Sequence, residues 1–157
     1  MKSIYLAHPL PRRKDGKAIQ AKIEELGLKV FNPFYTEARP EIEFLDRKGG
    51  ESSRKDDLTI QKQFGNTIFF EIIHRDLFVL NQQDGLVAII PKDVSLFGTI
   101  CEAFFMGIIQ RKPVFILTEL DYLTAHPWLY VVSQGNIFTK EEDLIHALKK
   151  WRDKNGE

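Results

Sequence analysis

Glu102 stands alone as a carboxylate in an apolar run. Residues 97–110 read Phe-Gly-Thr-Ile-Cys-Glu-Ala-Phe-Phe-Met-Gly-Ile-Ile-Gln. A carboxylate placed among such neighbours is costly to bury unless it has partners or a task. Near the mouth of a parallel sheet it suits the work of a nucleophile or general base. The sequence places Glu102 in the first turn of a helix over 98–110, where backbone N–H groups would hold it ionised. The plainer account makes it only a partner for the helix dipole. Asp84 is the second acid of interest, closing a turn before an apolar strand. Asp-Gly is by itself a strong turn signal, so turn chemistry also explains it. Asp76 lies on the preceding helix, able to pair with Arg75 or Lys62 or to face a pocket. Cys101 beside Glu102 reads as packing.

These side chains need a frame, and the apolar pattern supplies one. Residues 3–7 read as a buried strand, 15–27 as a helix and 28–31 as a second strand, ended by Asn32-Pro33. Residues 86–90 and 113–117 are continuous apolar runs of the kind covered on both faces of a sheet. Residues 136–138 suit a short fifth strand. A helix over 60–80 presents Ile68, Phe69, Ile72, Ile73, Leu77 and Leu80, with Gly65-Asn66 as a point of interruption. Thr139 and Glu142 have capping-box spacing before a helix over 139–154, with Leu144, Ile145, Leu148 and Trp151 as its buried stripe. Residues 126–132 are ambiguous. Residues 36–62, rich in charge, read as a flap or insertion with helical pieces.

Alternating strands and helices imply an α/β fold. We expect a single three-layer domain over 1–157, with a parallel sheet of about five strands and helices on both faces, flavodoxin-like or Rossmann-like. Ligands of such sheets sit beyond the carboxyl ends of the strands. Three loops would meet there: 8–13, with His8, Pro9, Arg12 and Arg13; 32–35; and 91–99, with Ser95, Gly98 and Thr99. Arg12 and Arg13 have the chemistry to grip a phosphate. Tyr5, Phe34, Tyr35, Phe97 and Trp128 are candidates to stack on a base. No Gly-x-Gly-x-x-Gly follows the first strand, so a dinucleotide site is not supported.

The composition narrows the partners. The chain has 157 residues, with 22 basic and 22 acidic side chains and a formal net charge of zero. That balance argues against nucleic acid as a partner, which calls for a basic excess or stripe. No apolar run approaches the ~20 residues of a membrane span. The single cysteine excludes an intrachain disulfide and fits a reducing cytoplasm. The four histidines lack metal-site spacing, so no metal and no cofactor is expected.

The ordered set Ile4-Tyr5-Leu6-Ala7-x-Pro9, Asp76-Leu77, Asp84-Gly85-Leu86-Val87-Ala88, Gly98-Thr99-x-x-Glu102 and Lys112-Pro113-Val114 resembles the nucleoside 2-deoxyribosyltransferase superfamily, which includes related deoxynucleotide N-glycoside hydrolases. The resemblance implies that Glu102 attacks C1′ of a deoxyribose to leave a covalent glycosyl-enzyme. It implies a proton or hydrogen bond to the leaving base from Asp84, and a phenol at Tyr5 orienting the nucleophile. His8, Pro9, Arg12, Arg13, Asp76, Ser95, Gly98 and Thr99 become substrate-binding candidates. The implied partners are a nucleoside or nucleotide and a free nucleobase. The site would be completed in a homo-oligomer through the helix over 100–109. Transfer of the sugar to another base is the first expectation. Hydrolysis of a deoxynucleoside 5′-monophosphate, favoured if Arg12 and Arg13 face the pocket, is the second. A non-catalytic nucleotide-binding protein is the third, suggested by His8 and by Leu96-Phe97.

Overall fold

The computed structural model describes residues 1–48 and 55–154. Five parallel strands form one sheet in the order β2-β1-β3-β4-β5. They are β1 (Ser3–Ala7), β2 (Lys29–Phe31), β3 (Gly85–Ile90), β4 (Val114–Thr118) and β5 (Ile137–Phe138). This is the flavodoxin-like arrangement, in which the strand order reverses between β1 and β3. The expected α/β fold and its five strands are therefore present. Parallel pairing demands crossovers, and the chain supplies them as helices.

Helices α1 (Gly16–Glu25) and α7 (Glu141–Asp153) cover one face of the sheet. They bury Ile19, Ile23, Leu144 and Leu148 against Ile4, Leu6, Val87 and Phe115. Helices α4 (Thr67–Gln82), α5 (Phe97–Phe104) and α6 (Pro127–Ser133) serve the other face. There Leu80, Ala103, Met106, Leu129 and Val132 meet Tyr5, Ala7, Leu86, Ala88 and Ile116. A five-residue π segment, Phe105–Ile109, continues α5. Gly107 lies in it because a Cβ there would meet the Val132 carbonyl oxygen at 2.4 Å. A side chain at that position would push α6 away.

Within 36–62 the described residues form α2 (Pro40–Arg47) and the greater part of α3 (Asp56–Phe64). The remainder of that expectation, residues 49–54, lies outside the described residues. Gly65, with φ of 80°, separates α3 from α4, as the sequence suggested.

Three local expectations change. No capping box forms at α7, because the helix starts at Glu141 with Lys140 as its N-cap and no side-chain cap bond. Glu141, Glu142 and Asp143 complement its dipole instead, and Glu141 pairs with Lys22. The apolar face expected of α4 is only partly covered: Leu80 is buried, while Ile73 is 56% and Leu77 36% exposed. Cys101, expected to pack inside, is exposed.

Candidate active site

The carboxyl ends of β1, β2 and β3 open into a cleft of about 500 Å³. His8, Pro9, Phe34, Ser95, Gly98, Thr99 and Glu102 line it from the three loops the sequence indicated. A second wall comes from α2, α3 and α4, through Ile42, Ile60, Phe69, Ile72, Ile73 and Asp76. Arg39, Glu41 and Asp57 complete the charged part of the lining. This volume suits a small organic ligand. A Cβ at Gly98 would meet only open space, so nothing but the cleft faces that backbone.

Glu102 reaches the cleft from the second turn of α5, since the helix begins at Phe97. The first-turn position expected for it is therefore not found, and with it goes the electrostatic support of the helix N-terminus. The residue is half-buried, but its Oε2 is buried and has no hydrogen-bond partner among the described residues. Burial, reinforced by the negative charge of Asp76, raises the Glu102 carboxyl to about 8. Arg39 and Tyr5 oppose that rise. Glu102 is thus held as a reluctant anion rather than a settled one.

Tyr5 sits on β1 with no solvent exposure, its ring stacked on Phe31 at 5.9 Å between centroids. Its hydroxyl is also without a hydrogen-bond partner among the described residues. Burial and the neighbouring Glu102 and Asp76 push the phenol well above its ordinary range. It couples to Glu102 electrostatically without the geometry of a formed hydrogen bond.

Asp76 enters the cleft from α4 and is raised to about 6, chiefly by burial, with Arg39 and Arg75 opposing. Arg39 Nη1 lies 3.6 Å from Asp76 Oδ1, and Arg39 Nε donates to Glu41 Oε1 at 2.8 Å. Arg39 Nη1 also donates to the Pro33 carbonyl, fixing the β2 loop to α2. Arg75 Nη2 holds the same Glu41 oxygen at 2.9 Å. Arg39 is 4% and Glu41 1% exposed, so these charges are paired because they are buried. Sequence reasoning missed Arg39 and Glu41. They lie in a charge-rich stretch where no spacing distinguishes a buried pair from solvated neighbours.

His8 lines the cleft, but both its ring nitrogens already face carbonyls: Nδ1 at 3.0 Å from Leu6 O and Nε2 at 3.2 Å from Arg13 O. Burial lowers its basicity. Gly16 packs against the ring, where a Cβ would come within 2.4 Å of Nε2. His8 therefore shapes the β1 loop.

The structure does not bring Asp84, Arg12 or Arg13 to the cleft. Asp84 precedes β3 and so lies at the opposite end of the sheet. Its Oδ2 accepts hydrogen bonds from Ser3 N at 2.8 Å and Ser3 Oγ at 3.1 Å. The turn account is the one its surroundings support. Arg13 is 1% exposed and pairs with Asp46 at 2.9 Å and Asp56 at 2.8 Å, tying the β1 loop to α2 and α3. Arg12 pairs with Asp15 at 2.5 Å, on the other side of the sheet end. Neither guanidinium is placed to receive a phosphate in the cleft. Of the aromatic candidates, Phe34 and Phe97 line it, whereas Tyr35 hydrogen-bonds Asp46 and Trp128 packs near Phe104.

No protein-family model matches the chain, and no curated protein matches it. Among solved structures, it is similar to the 2-deoxyribosyltransferase of Bacillus psychrosaccharolyticus, with 18% identity and a TM-score of 0.51. That match covers 93% of this chain and 95% of the other. A CMP N-glycosidase of Clostridium botulinum is also similar, at 17% identity and a TM-score of 0.47, over 95% of this chain and 99% of the other. The chain thus has the fold of a 2-deoxyribosyltransferase along nearly its whole length. Among the described residues, no helix is long and apolar enough to cross a membrane.

Proposed function

We propose that this protein cleaves the N-glycosidic bond of a 2′-deoxynucleoside and passes the sugar to another base, with Glu102 as nucleophile. The observation that carries the reading is Glu102, its Oε2 buried without a hydrogen-bond partner among the described residues, in a cleft it shares with Asp76 at the carboxyl end of the sheet. Burial raises Asp76 to about 6 and, with the charge of Asp76, Glu102 to about 8, so between these limits Glu102 holds the proton and Asp76 is the anion. Cleavage needs an anionic nucleophile and a proton for the leaving base, and such a pair can supply both.

In this reading the bond between C1′ and the base nitrogen breaks as a C1′–Oε bond to Glu102 forms, through an oxocarbenium-like transition state. The proton held on Glu102 passes by way of Asp76 to the departing base. The Tyr5 hydroxyl donates to the carboxylate as it becomes anionic. A second base then attacks C1′, returns its proton to the pair and frees Glu102. Asp84, expected to meet the leaving base, takes no part, and Asp76 holds that role. Ser95, Gly98 and Thr99 border the sugar, and Phe34 and Phe97 border the base. Arg39 and Glu41 hold the wall from which Asp76 works. Helices α2 and α3 act as the cover that the 36–62 segment was expected to form.

A nucleoside suits the cleft better than its 5′-monophosphate. The lining carries four carboxylates, Glu41, Asp57, Asp76 and Glu102, against one guanidinium, Arg39. That guanidinium is already committed to Glu41 and Pro33 O. A phosphate would meet net repulsion there. The apolar wall of Ile42, Ile60, Ile72 and Ile73 favours a base over water as acceptor. A homo-oligomer fits the same picture, because Ile73 and Phe97, both on the rim, are 56% and 84% exposed.

The test is a product assay with 2′-deoxyinosine and excess cytosine, run beside deoxynucleoside monophosphates, for the wild type and Glu102→Ala. Deoxycytidine formed by the wild type and lost in the variant is the expected result. Base released from the monophosphates alone would replace transfer by hydrolysis. No product from any substrate, with folded protein, would overturn the assignment.

A further inference from the structure

At the far end of the sheet, where β4 and β5 begin, lies a second cavity of about 300 Å³. Its cations are Arg111, Lys112, Lys150 and Lys154, and among the described residues no carboxylate lines it. This is unusual in a chain whose basic and acidic residues are equal in number. Arg111, Lys150 and Lys154 are exposed, and like charge gathered on one concavity attracts anions.

A simpler account is that the cations complement helix C-termini, since α7 ends here and Arg111 and Lys112 follow the π segment. Lys112 does this work: its Nζ donates to the carbonyls of Asn81 and Gln83, both at 2.7 Å, at the end of α4. The side chains of Arg111, Lys150 and Lys154 make no such bond and no ion pair among the described residues. Arg111 and Gln134 both line the cavity with positive φ, 54° and 52°, which helix termination explains. The Asn136 amide and the edge of Trp151 add polar and flat apolar surface to the same wall.

We propose that this cavity is a binding site for a small phosphate-bearing anion, separate from the catalytic cleft. Arg111, with its planar fork of donors, and the Lys150 and Lys154 ammonium groups surround the phosphate, while Lys112 contributes charge from its capping position. The small size of the cavity, about 300 Å³, favours a small molecule over a nucleic-acid backbone, which would need a continuous basic track. The site is independent of the reaction assigned to Glu102.

Trp151 reports on it directly. In a Trp128→Phe protein, Trp151 is the only remaining tryptophan. Inorganic pyrophosphate, and AMP in parallel, are titrated against its fluorescence and by calorimetry, at low and high salt. Saturable binding is expected, weakened about tenfold or more by combined Lys150→Glu and Lys154→Glu. Base exchange without added anion should stay at the wild-type rate in that variant. Equal binding of pyrophosphate and AMP assigns recognition to the phosphate group, and tighter binding of AMP assigns it to a nucleotide; both support the site. Absence of saturable binding by both methods overturns it, as does undiminished binding in the double variant. Binding of an RNA oligonucleotide alone, with neither small anion, overturns it in favour of a nucleic-acid surface.

Discussion

The Tyr5 hydroxyl and the Glu102 carboxylate are electrostatically coupled neighbours, and each keeps a buried oxygen without a hydrogen-bond partner among the described residues. A buried donor and a buried acceptor left apart in this way represent interaction energy withheld in the resting state. An anionic Glu102 is the stronger acceptor, so a hydrogen bond from Tyr5 gains strength as the nucleophile becomes anionic. Tyr5→Phe should therefore lower kcat about tenfold to a hundredfold, leave KM nearly unchanged, and cost little stability. Steady-state kinetics and a denaturation midpoint on one preparation check all three. A large rise in KM with kcat intact would remove this role for Tyr5.

The pH dependence of kcat/KM should be bell-shaped. Activity should fall below about 6, where Asp76 takes up its proton and both carboxyls are neutral, and above about 8, where Glu102 loses its own. Asp76→Asn should lower the rate and shift the alkaline limb downward, because the charge that raises Glu102 is gone. A profile flat from 5 to 9 would contradict the shared-proton mechanism.

Glu102→Gln should abolish turnover while making the protein more stable at alkaline pH. The carboxyl binds its proton more tightly folded than unfolded, so its folded value of about 8 exceeds the ordinary 4.5. Its contribution is therefore unpenalised below 4.5 and turns destabilising as pH rises toward 8. Removing the charge should recover roughly 2 kcal/mol at pH 8, after allowance for relaxation of the site, and almost nothing at pH 4. Thermal melts of both proteins across that range would show it; a gain independent of pH would point to a packing effect instead.

Asp84→Asn should separate stability from catalysis. Its carboxylate accepts two hydrogen bonds from Ser3 at the end of the sheet remote from the cleft. The group is exposed, so about 1 kcal/mol or less of stability is at stake. The denaturant midpoint should move slightly while kcat and KM hold. A fall of a hundredfold in kcat in folded protein would restore Asp84 to the mechanism.

Arg13→Ala should destabilise the protein by about 3–5 kcal/mol, because it removes the buried cation shared by Asp46 and Asp56. The loss should fall on α2 and α3, seen as faster amide exchange over 40–47 and 56–64. Any residual activity should be impaired equally toward nucleosides and nucleotides. A selective rise in KM for nucleotides would return Arg13 to phosphate recognition.

Local order made much of this molecule legible before its structure. The apolar runs of β1, β3 and β4 and the helical spacing of α1 and α7 are properties of short segments, set by the periodicity with which side chains meet a core. Alternation of those segments was enough for a parallel sheet, and the carboxyl-end rule placed the loops holding His8, Ser95 and Glu102. The same rule set Asp84, which precedes β3, at the opposite end, so the sequence itself lent no support to the role at the leaving base that the resemblance implied. A six-residue strand is about 20 Å long, so position before or after it decides between the cleft and the opposite end. The sequence could not show that Arg13 would be spent on Asp46 and Asp56, or that Arg39 would join Glu41 and Asp76. Those pairings bring together residues far apart in the chain, in a stretch without periodic signal. The ionisation of Glu102 was decided the same way. One turn of helix separates a carboxylate stabilised by N–H dipoles from one buried beside another acid, and only tertiary packing sets which neighbours it meets.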